Sequence, residues 1–286
     1  MPSPAGPPER TQPPRTAGLQ LLISDIDGTL VTPDKILTAA AQAAVQRLDE
    51  AGIGFSIISA RPPRGMQALA TALGVRLPFA AFNGGSLVGP DFQTISARWL
   101  PATVARSALA LLAARQVDAW VFADDAWRLL NPNGAKVERE RLALGFGPNV
   151  VSGFEDVVAR IDKIVGVSDD HNHLAAVELE MQTKLGESAN VSRSQPYYLD
   201  ITPPGADKGH GVRAICERAG VPLANTAVIG DMRNDVAMFR IAGLAIAMGQ
   251  APPDVQAAAQ LTTAGNTEEG FAKAVNRFIL PMAKNG

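Results

Sequence analysis

A single cysteine in a chain of 286 residues excludes an intrachain disulfide framework and fits a reducing compartment. That residue, Cys216, lies in the helical pattern "GVRAICERAG" among apolar neighbours, which reads as a buried structural thiol rather than a nucleophile. Excess charge is missing too. A formal net charge of −2 offers no electrostatic footprint for nucleic acid or an anionic membrane surface. No apolar stretch approaches the roughly 20 residues that span a bilayer. The opening "MPSPAGPPERTQPPRTAG" has no apolar core of the kind a secretory signal needs. Residues 1–18 therefore read as a disordered Pro-rich tail, and the cytoplasm is the expected compartment. No internal repeat at a solenoid period is visible. Monomer and homodimer are equally compatible with the sequence.

What is present is an ordinary globular composition, 47% hydrophobic and 19% charged. Strand-like and helix-like segments alternate. "LQLLISD", "IGFSIISA", "PFAAFNGG", "TAVIGD" and "LAIAMG" read as buried strands. "ILTAAAQAAVQRLDEAG", "RGMQALATALG", "KGHGVRAICERAG", "NDVAMFRIAG" and "PPDVQAAA" read as helices. Apolar strands alternating with helices predict an α/β fold, a doubly wound parallel sheet covered on both faces. The middle has another rhythm. A helix at "ATVARSALALLAARQ" precedes paired strands at "DAWVFADD" and "AWRLLNPN". Then come a charged helix at "GAKVERERLALG", a strand at "RIDKIVGVSD", a helix at "HNHLAAVELEMQTKLG", and strands at "ANVSRS" and "YYLDITP". This predicts an α+β insert over 85–200, splitting a core made of 19–84 and 201–286.

Several of the core strands end in polar residues. "LLISDIDGTL" runs from an apolar stretch into Asp25 and Asp27, then turns through Gly28 and Thr29; "SIISAR" ends at Ser59 and "VIGDMRND" at Asp231. In open parallel sheets, ligands bind beyond the carboxyl ends of the strands. Lys208, opening the helix in "GADKGHG", belongs on the same rim. Carboxylates converging there repel one another unless a hard divalent cation sits among them, and Mg²⁺ takes such oxygen ligands together with a substrate phosphate. Amides at Gly28 and Thr29, the Ser59 hydroxyl and the Lys208 ammonium complete a phosphoryl site. Asp25 is expected to be the nucleophile that forms an aspartyl-phosphate. Asp27, carrying a proton at the first step, is expected to be the general acid and then the base.

"DIDGTL", the hydroxyl-plus-Arg pair in "SAR", "DKG" and "GDMRND" resemble, in order and spacing, the four motifs of the haloacid dehalogenase-like (HAD) phosphohydrolases. The "FNGG" turn and the long insert before "DKG" resemble its Cof-type branch of sugar phosphatase-like enzymes. The resemblance spans 19–286, with the insert matched by size and element order only. It implies a Rossmann-like core with a C2-type cap, and hydrolysis of a small phosphorylated metabolite such as a sugar phosphate or phosphoglycerate-type ester. It further implies that Mg²⁺ is held by the Asp25 carboxylate, the Asp27 main-chain carbonyl and Asp231. Asp235 would support the metal waters or Lys208 from behind. Ser59 and Lys208 would hold the transferring group, with Arg61, Asn83, Gly84 and Asn234 beside the phosphate. Ser59 stands where the family more often has Thr. A sugar phosphomutase using the same nucleophile, and a non-catalytic phosphate-sensing protein, are the alternative readings.

Other conspicuous residues have plainer explanations. His171 and His173 in "DDHNH" are two apart and so do not share a helix face, and the aspartates before them read as an N-cap. The charged "KVERERLALG" helix reads as a solvated face, from which Arg139 or Arg141 could reach an anionic substrate. Trp99, Trp120 and Trp127 read as core of the insert, and His210 as a surface helix position.

Overall fold

The computed structural model describes residues 18–283, so the Pro-rich tail expected over 1–18 lies outside the described residues except for Gly18. Two sheets organise the chain. The first has eight strands in the order β14-β13-β12-β1-β2-β3-β4-β5. Its parallel part is β1 (Leu21–Asp25), β2 (Gly54–Ile58), β3 (Phe79–Ala81), β12 (Thr226–Gly230), β13 (Leu244–Ala247) and β14 (Leu261–Thr262). β4 (Ser86–Val88) and β5 (Thr94–Ala97) add antiparallel strands at one edge.

All five residues of β1 are buried, because helices cover both faces. Side chains alternate across a strand. Leu22 faces the cluster that includes Ala44 and Leu48 of α1 (Ala39–Glu50). Leu21 and Ile23 face the one that includes Val212 and Ile215 of α6 (Lys208–Ala219). Each such side chain contributes about 1.5–3 kcal/mol by leaving water. The α1 helix forms where the pattern says: Thr38 caps it by accepting from the Ala41 N–H at 3.2 Å, and Ala41, Ala44, Val45 and Leu48 make the inward stripe.

The second sheet has six strands in the order β10-β11-β9-β6-β7-β8: β6 (Asp118–Ala123), β7 (Ala126–Leu129), β8 (Asn149–Val150), β9 (Ile161–Val167), β10 (Asn190–Gln195) and β11 (Tyr198–Thr202). Helices α3 (Ala102–Ala114) and α5 (His171–Leu185) bury one face through Leu111, Leu112, Leu174, Val177 and Met181. The other face carries Trp120, Phe122 and Trp127 toward the first sheet, where the Phe122 ring lies 5.9 Å from that of Phe82. Helix α4 (Val137–Leu144) packs on this side. A lysine joins the layers: Lys163 Nζ on β9 donates to the Ala60 carbonyl at 3.1 Å.

Three expectations shift. The predicted insert boundary at 85 precedes β4 and β5, which continue the first sheet, and its end at 200 falls inside β11, which pairs with β9 and β10. Two-strand antiparallel additions leave no periodicity of their own in so short a stretch. Trp99 is 52% exposed, whereas Trp120 and Trp127 are each 1% exposed, so only the latter two are core. Asp170 caps α5 through the His173 N–H, and the two histidines form no metal cluster among the described residues. No helix among the described residues is long and apolar enough to cross a membrane.

Asp162, buried at the start of β9, has its carboxyl pushed up to about 7 by burial and by the charges of Asp124 and Asp125, with the Trp99 indole opposing. A carboxyl raised above its unfolded value costs stability increasingly as pH rises from the unfolded pKa toward the folded one. Asp162→Asn should therefore raise the Tm relative to the parent chain more at pH 8 than at pH 5, by the equivalent of about 1–2 kcal/mol. Melting curves with equal differences at both pH values would refute this.

Candidate active site

Parallel pairing decides which residues meet. Asp25 is opposite Ile58 in the β1–β2 register, and Ser24 is opposite Ile229 in β1–β12. Asp25, Ser59 and Asp231 thus leave three adjacent strand ends, spaced about 4.8 Å apart. The chain runs from β1 to β2 and β3 on one side and reaches β12 on the other, so β1 and β12 flank the point where strand order reverses. A cavity of about 330 Å³ opens there, with Asp25, Asp27, Gly28, Ser59, Arg61, Lys208, Asp231 and Asn234 in its lining.

Lys208 is the centre of the floor. Its Nζ lies 2.5 Å from Asp25 Oδ1 and 2.6 Å from Asp235 Oδ1, and it is 1% exposed. Asp207 caps α6 through the His210 N–H at 2.8 Å, which fixes the helix start that delivers the lysine. Burial alone would lower the Lys208 pKa, but Asp235 and Asp25 outweigh it and hold the ammonium above its ordinary value. Asp25 goes the other way: burial raises its carboxyl well above the usual range, Lys208 opposes, and Asp235 and Asp231 add to the rise. Asp231 is pushed up to about 7, chiefly by burial and then by Asp235.

The supporting contacts are specific. Asp235 Oδ2 accepts from the main-chain N–H groups of Asp231 and Met232, each at 2.8 Å, so one buried carboxylate both shapes the loop and anchors Lys208. Thr29 Oγ1 donates to Asp231 Oδ1 at 3.2 Å. Gly28 has φ +88°, and a Cβ there would lie 2.2 Å from Asp231 Oδ2, so a side chain at this turn would push Asp231 away. Oxygens of Asp25, Asp231 and Asp235 lie within 4.8 Å of one another. This set of hard oxygen donors fits a divalent cation. Asp235 is already spoken for by Lys208 and two amides, which leaves Asp25 and Asp231 as the carboxylates to hold one.

Asp27 departs from expectation. Arg61 grips it with Nε on Oδ2 and Nη2 on Oδ1, both at 2.7 Å, and Lys35 Nζ adds a third contact at 2.7 Å. Burial would raise the Asp27 carboxyl, but Arg61 and Lys35 overcome it and hold it far below the usual range. In this arrangement the ionised form of Asp27 is favoured, and Arg61 is engaged with Asp27 and the Gly65 carbonyl rather than free for a phosphate. Two other expected substrate contacts sit back from the cavity. Gly84, with φ +92°, presses against the start of α6, where a Cβ would meet the Asp207 carbonyl at 2.5 Å. Asn83 accepts from Asn234 Nδ2 at 3.1 Å and so positions that side chain from behind. Thr29 likewise acts on Asp231 rather than lining the cavity. His210 is half-buried and lines a separate hollow with Arg98.

Of the ceiling, only Arg139 was foreseen, as one of two arginines that could reach a substrate. Arg139 and Glu140 of α4, Lys163 of β9, and Ser194, Gln195, Tyr197 and Tyr198 of the β10–β11 hairpin close the cavity from above. Of the charged helix, Arg141 instead pairs with Glu138 in solvent. Lys35 sits in a loop that carries no motif. The one available signal was the run of alternating charges in α4, which does not say which charge faces inward.

Known proteins resemble this chain along most of its length. An HMP-PP phosphatase from Cronobacter sakazakii is 27% identical over 233 residues, covering 82% of this chain and 85% of the relative. A pyridoxal phosphate phosphatase from Escherichia coli is 26% identical over 271 residues, 91% of this chain and 99% of that one. A crystal structure of a haloacid dehalogenase-like hydrolase from Bacteroides thetaiotaomicron superposes with a TM-score of 0.82 at 27% identity, covering 91% of this chain and all of that one. The family model described as haloacid dehalogenase-like hydrolase matches residues 22–275, which takes in both sheets and the whole strand-end cluster. The chain belongs to the haloacid dehalogenase-like hydrolases.

Proposed function

We propose that this protein is a Mg²⁺-dependent phosphatase that hydrolyses a small phosphorylated metabolite through an aspartyl-phosphate on Asp25. The observation that carries the reading is the buried Lys208 bridging Asp25 and Asp235 beside Asp231, at the rim of a roofed cavity. Mg²⁺, held by Asp25, Asp231 and the Asp27 carbonyl, would supply charge neutralisation for the phosphoryl group. The chain's own groups do the rest. An Asp25 carboxylate oxygen attacks phosphorus, the bond from phosphorus to the leaving oxygen breaks, and Lys208 and Ser59 hold the phosphoryl oxygens. Phosphate oxygens compete with Asp27 for Arg61 and Lys35, so the Asp27 carboxylate regains its affinity for a proton, takes one up from solvent and passes it to the leaving oxygen. Asp27 then takes a proton from the water that cleaves the acyl phosphate and restores Asp25. The second sheet acts as a cap that excludes bulk water and contacts the leaving group. The relatives named for HMP-PP and pyridoxal phosphate support a small-molecule phosphate as substrate class.

Turnover of p-nitrophenyl phosphate with Mg²⁺ is expected to vanish with EDTA and return on adding Mg²⁺. Asp25→Asn should lower kcat at least about 10³-fold; a variant that keeps a tenth of parental turnover would remove Asp25 from the chemistry. Gly28→Ala should raise the Mg²⁺ concentration for half-maximal turnover by about tenfold, because the added methyl collides with Asp231, and an unchanged titration would contradict the geometry. Lys208→Met should lower the Tm by the equivalent of about 3–5 kcal/mol, since it leaves buried carboxylates uncompensated. Added Mg²⁺ should restore part of that loss, through a cation that binds only the folded chain. A melting temperature equal to the parent's would show that the buried lysine is not what balances the acids.

A further inference from the structure

The ceiling of the cavity is charged in a way the reaction does not require. Glu140 Oε2 accepts from the Tyr198 hydroxyl at 3.0 Å, and Glu140 has no salt-bridge partner among the described residues. Asp200, two residues beyond Tyr198 on the same strand face, is 2% exposed, and neither of its carboxylate oxygens accepts a hydrogen bond among the described residues. Lys163 lies 3.4 Å from Asp200 Oδ1 but directs its hydrogen bond to the Ala60 carbonyl. Two carboxylates and one ammonium give the Glu140, Asp200 and Lys163 group a formal charge of −1, and Arg139 is the further cation in the cavity lining on this side. The cations of the floor are committed: Lys35 and Arg61 to Asp27, and Lys208 to Asp25 and Asp235. Arg139 stands at the rim, 5.6 Å over the Tyr197 ring, with Lys136 at 5.1 Å from the same ring and paired to Asp169.

We propose that Glu140, oriented by Tyr198, is the specificity-determining residue, selecting a leaving group that carries a hydrogen-bond donor, an amino or ammonium group above all, over one that carries a carboxylate. This rests on the phosphatase reading and names the substrate class for that same site. A donor arriving at Glu140 gains a charge-assisted hydrogen bond, roughly twice as strong as a neutral one. A carboxylate arriving there meets a like charge in a partly desolvated setting, which weakens its binding. Burial, and after it the charges of Asp27 and Asp200, raise the Glu140 carboxyl against the pull of Lys163 and Tyr198, so a bound ammonium also repairs an existing electrostatic deficit. If Glu140 merely tied α4 to β11, its removal would weaken all ligands alike.

The test is a ladder of three hexose derivatives of similar size: 6-phosphogluconate, glucose 6-phosphate and glucosamine 6-phosphate. Each is measured as a competitor of p-nitrophenyl phosphate hydrolysis, so that Ki is obtained whether or not it is itself turned over. In the parent protein, Ki should fall along that series by about tenfold or more from end to end. Glu140→Gln should compress the range to about threefold or less, and Tyr198→Phe, which keeps the charge but loses its orientation, should lie between. A flat or inverted ladder in the parent protein overturns the inference, as does a ladder equally steep in Glu140→Gln. Parental turnover of p-nitrophenyl phosphate with a flat ladder would leave the phosphatase reading standing and sink this inference alone. No turnover under any metal condition would end both.

Discussion

The structure depends on one buried cation. Three carboxylates with oxygens inside 4.8 Å of one another could not share a desolvated rim without compensation. Lys208 supplies it to two of them at once, with one Nζ between Asp25 and Asp235. The remaining acid, Asp231, accepts from Thr29, and burial and then the charge of Asp235 push its carboxyl up to about 7 against the pull of Lys208. The balance is incomplete by design of the residues present: a lysine holds Asp25 in place, and the excess negative charge is left where a divalent cation would sit. Asp235 shows how economical the arrangement is, since the same carboxylate shapes the Asp231 loop and fixes the lysine.

The second constraint runs across the cavity. Asp27, expected to handle the proton, is locked by Arg61 and Lys35, and Arg61 is in turn fixed by the loop after β2. That loop is touched from the cap side by Lys163, through the Ala60 carbonyl between Ser59 and Arg61. Cap and floor therefore meet at the residues that flank the reacting groups. The second sheet and the Arg61–Asp27 pair are thereby linked in space, which under the proposed mechanism would give a physical route from leaving-group recognition to proton handling.

How much of this could be read from the chain follows from the physics of each part. β1, β2, β12 and β13 were legible because they are buried on both faces and written as continuous apolar runs. The floor was legible because "DIDGT", "DKG" and "GDMRND" place their polar residues at strand ends and a helix start. The three- and four-residue antiparallel strands β4 and β5, and the exposed two-residue β8, are too short to carry such a run. The pairing of Asp27 with Lys35 and Arg61 was not legible because those partners lie 8 and 34 residues away, and only the fold brings them to it. Gly84 and Asn83 belong to a turn that was legible, but whether a turn faces ligand or a neighbouring helix is settled by packing. The ceiling residues Glu140, Lys163 and Tyr198 come from three different elements, α4, β9 and β11, with no shared motif.

Covalent trapping tests the central claim most directly. Acid quenching during steady-state turnover, borohydride reduction of any acyl phosphate and peptide mapping by mass spectrometry would locate the phosphorylated carboxylate. The account predicts reduction to homoserine at position 25 and nowhere else. Modification at Asp231 or Asp27 instead, or full turnover with no trapped aspartate, would contradict it.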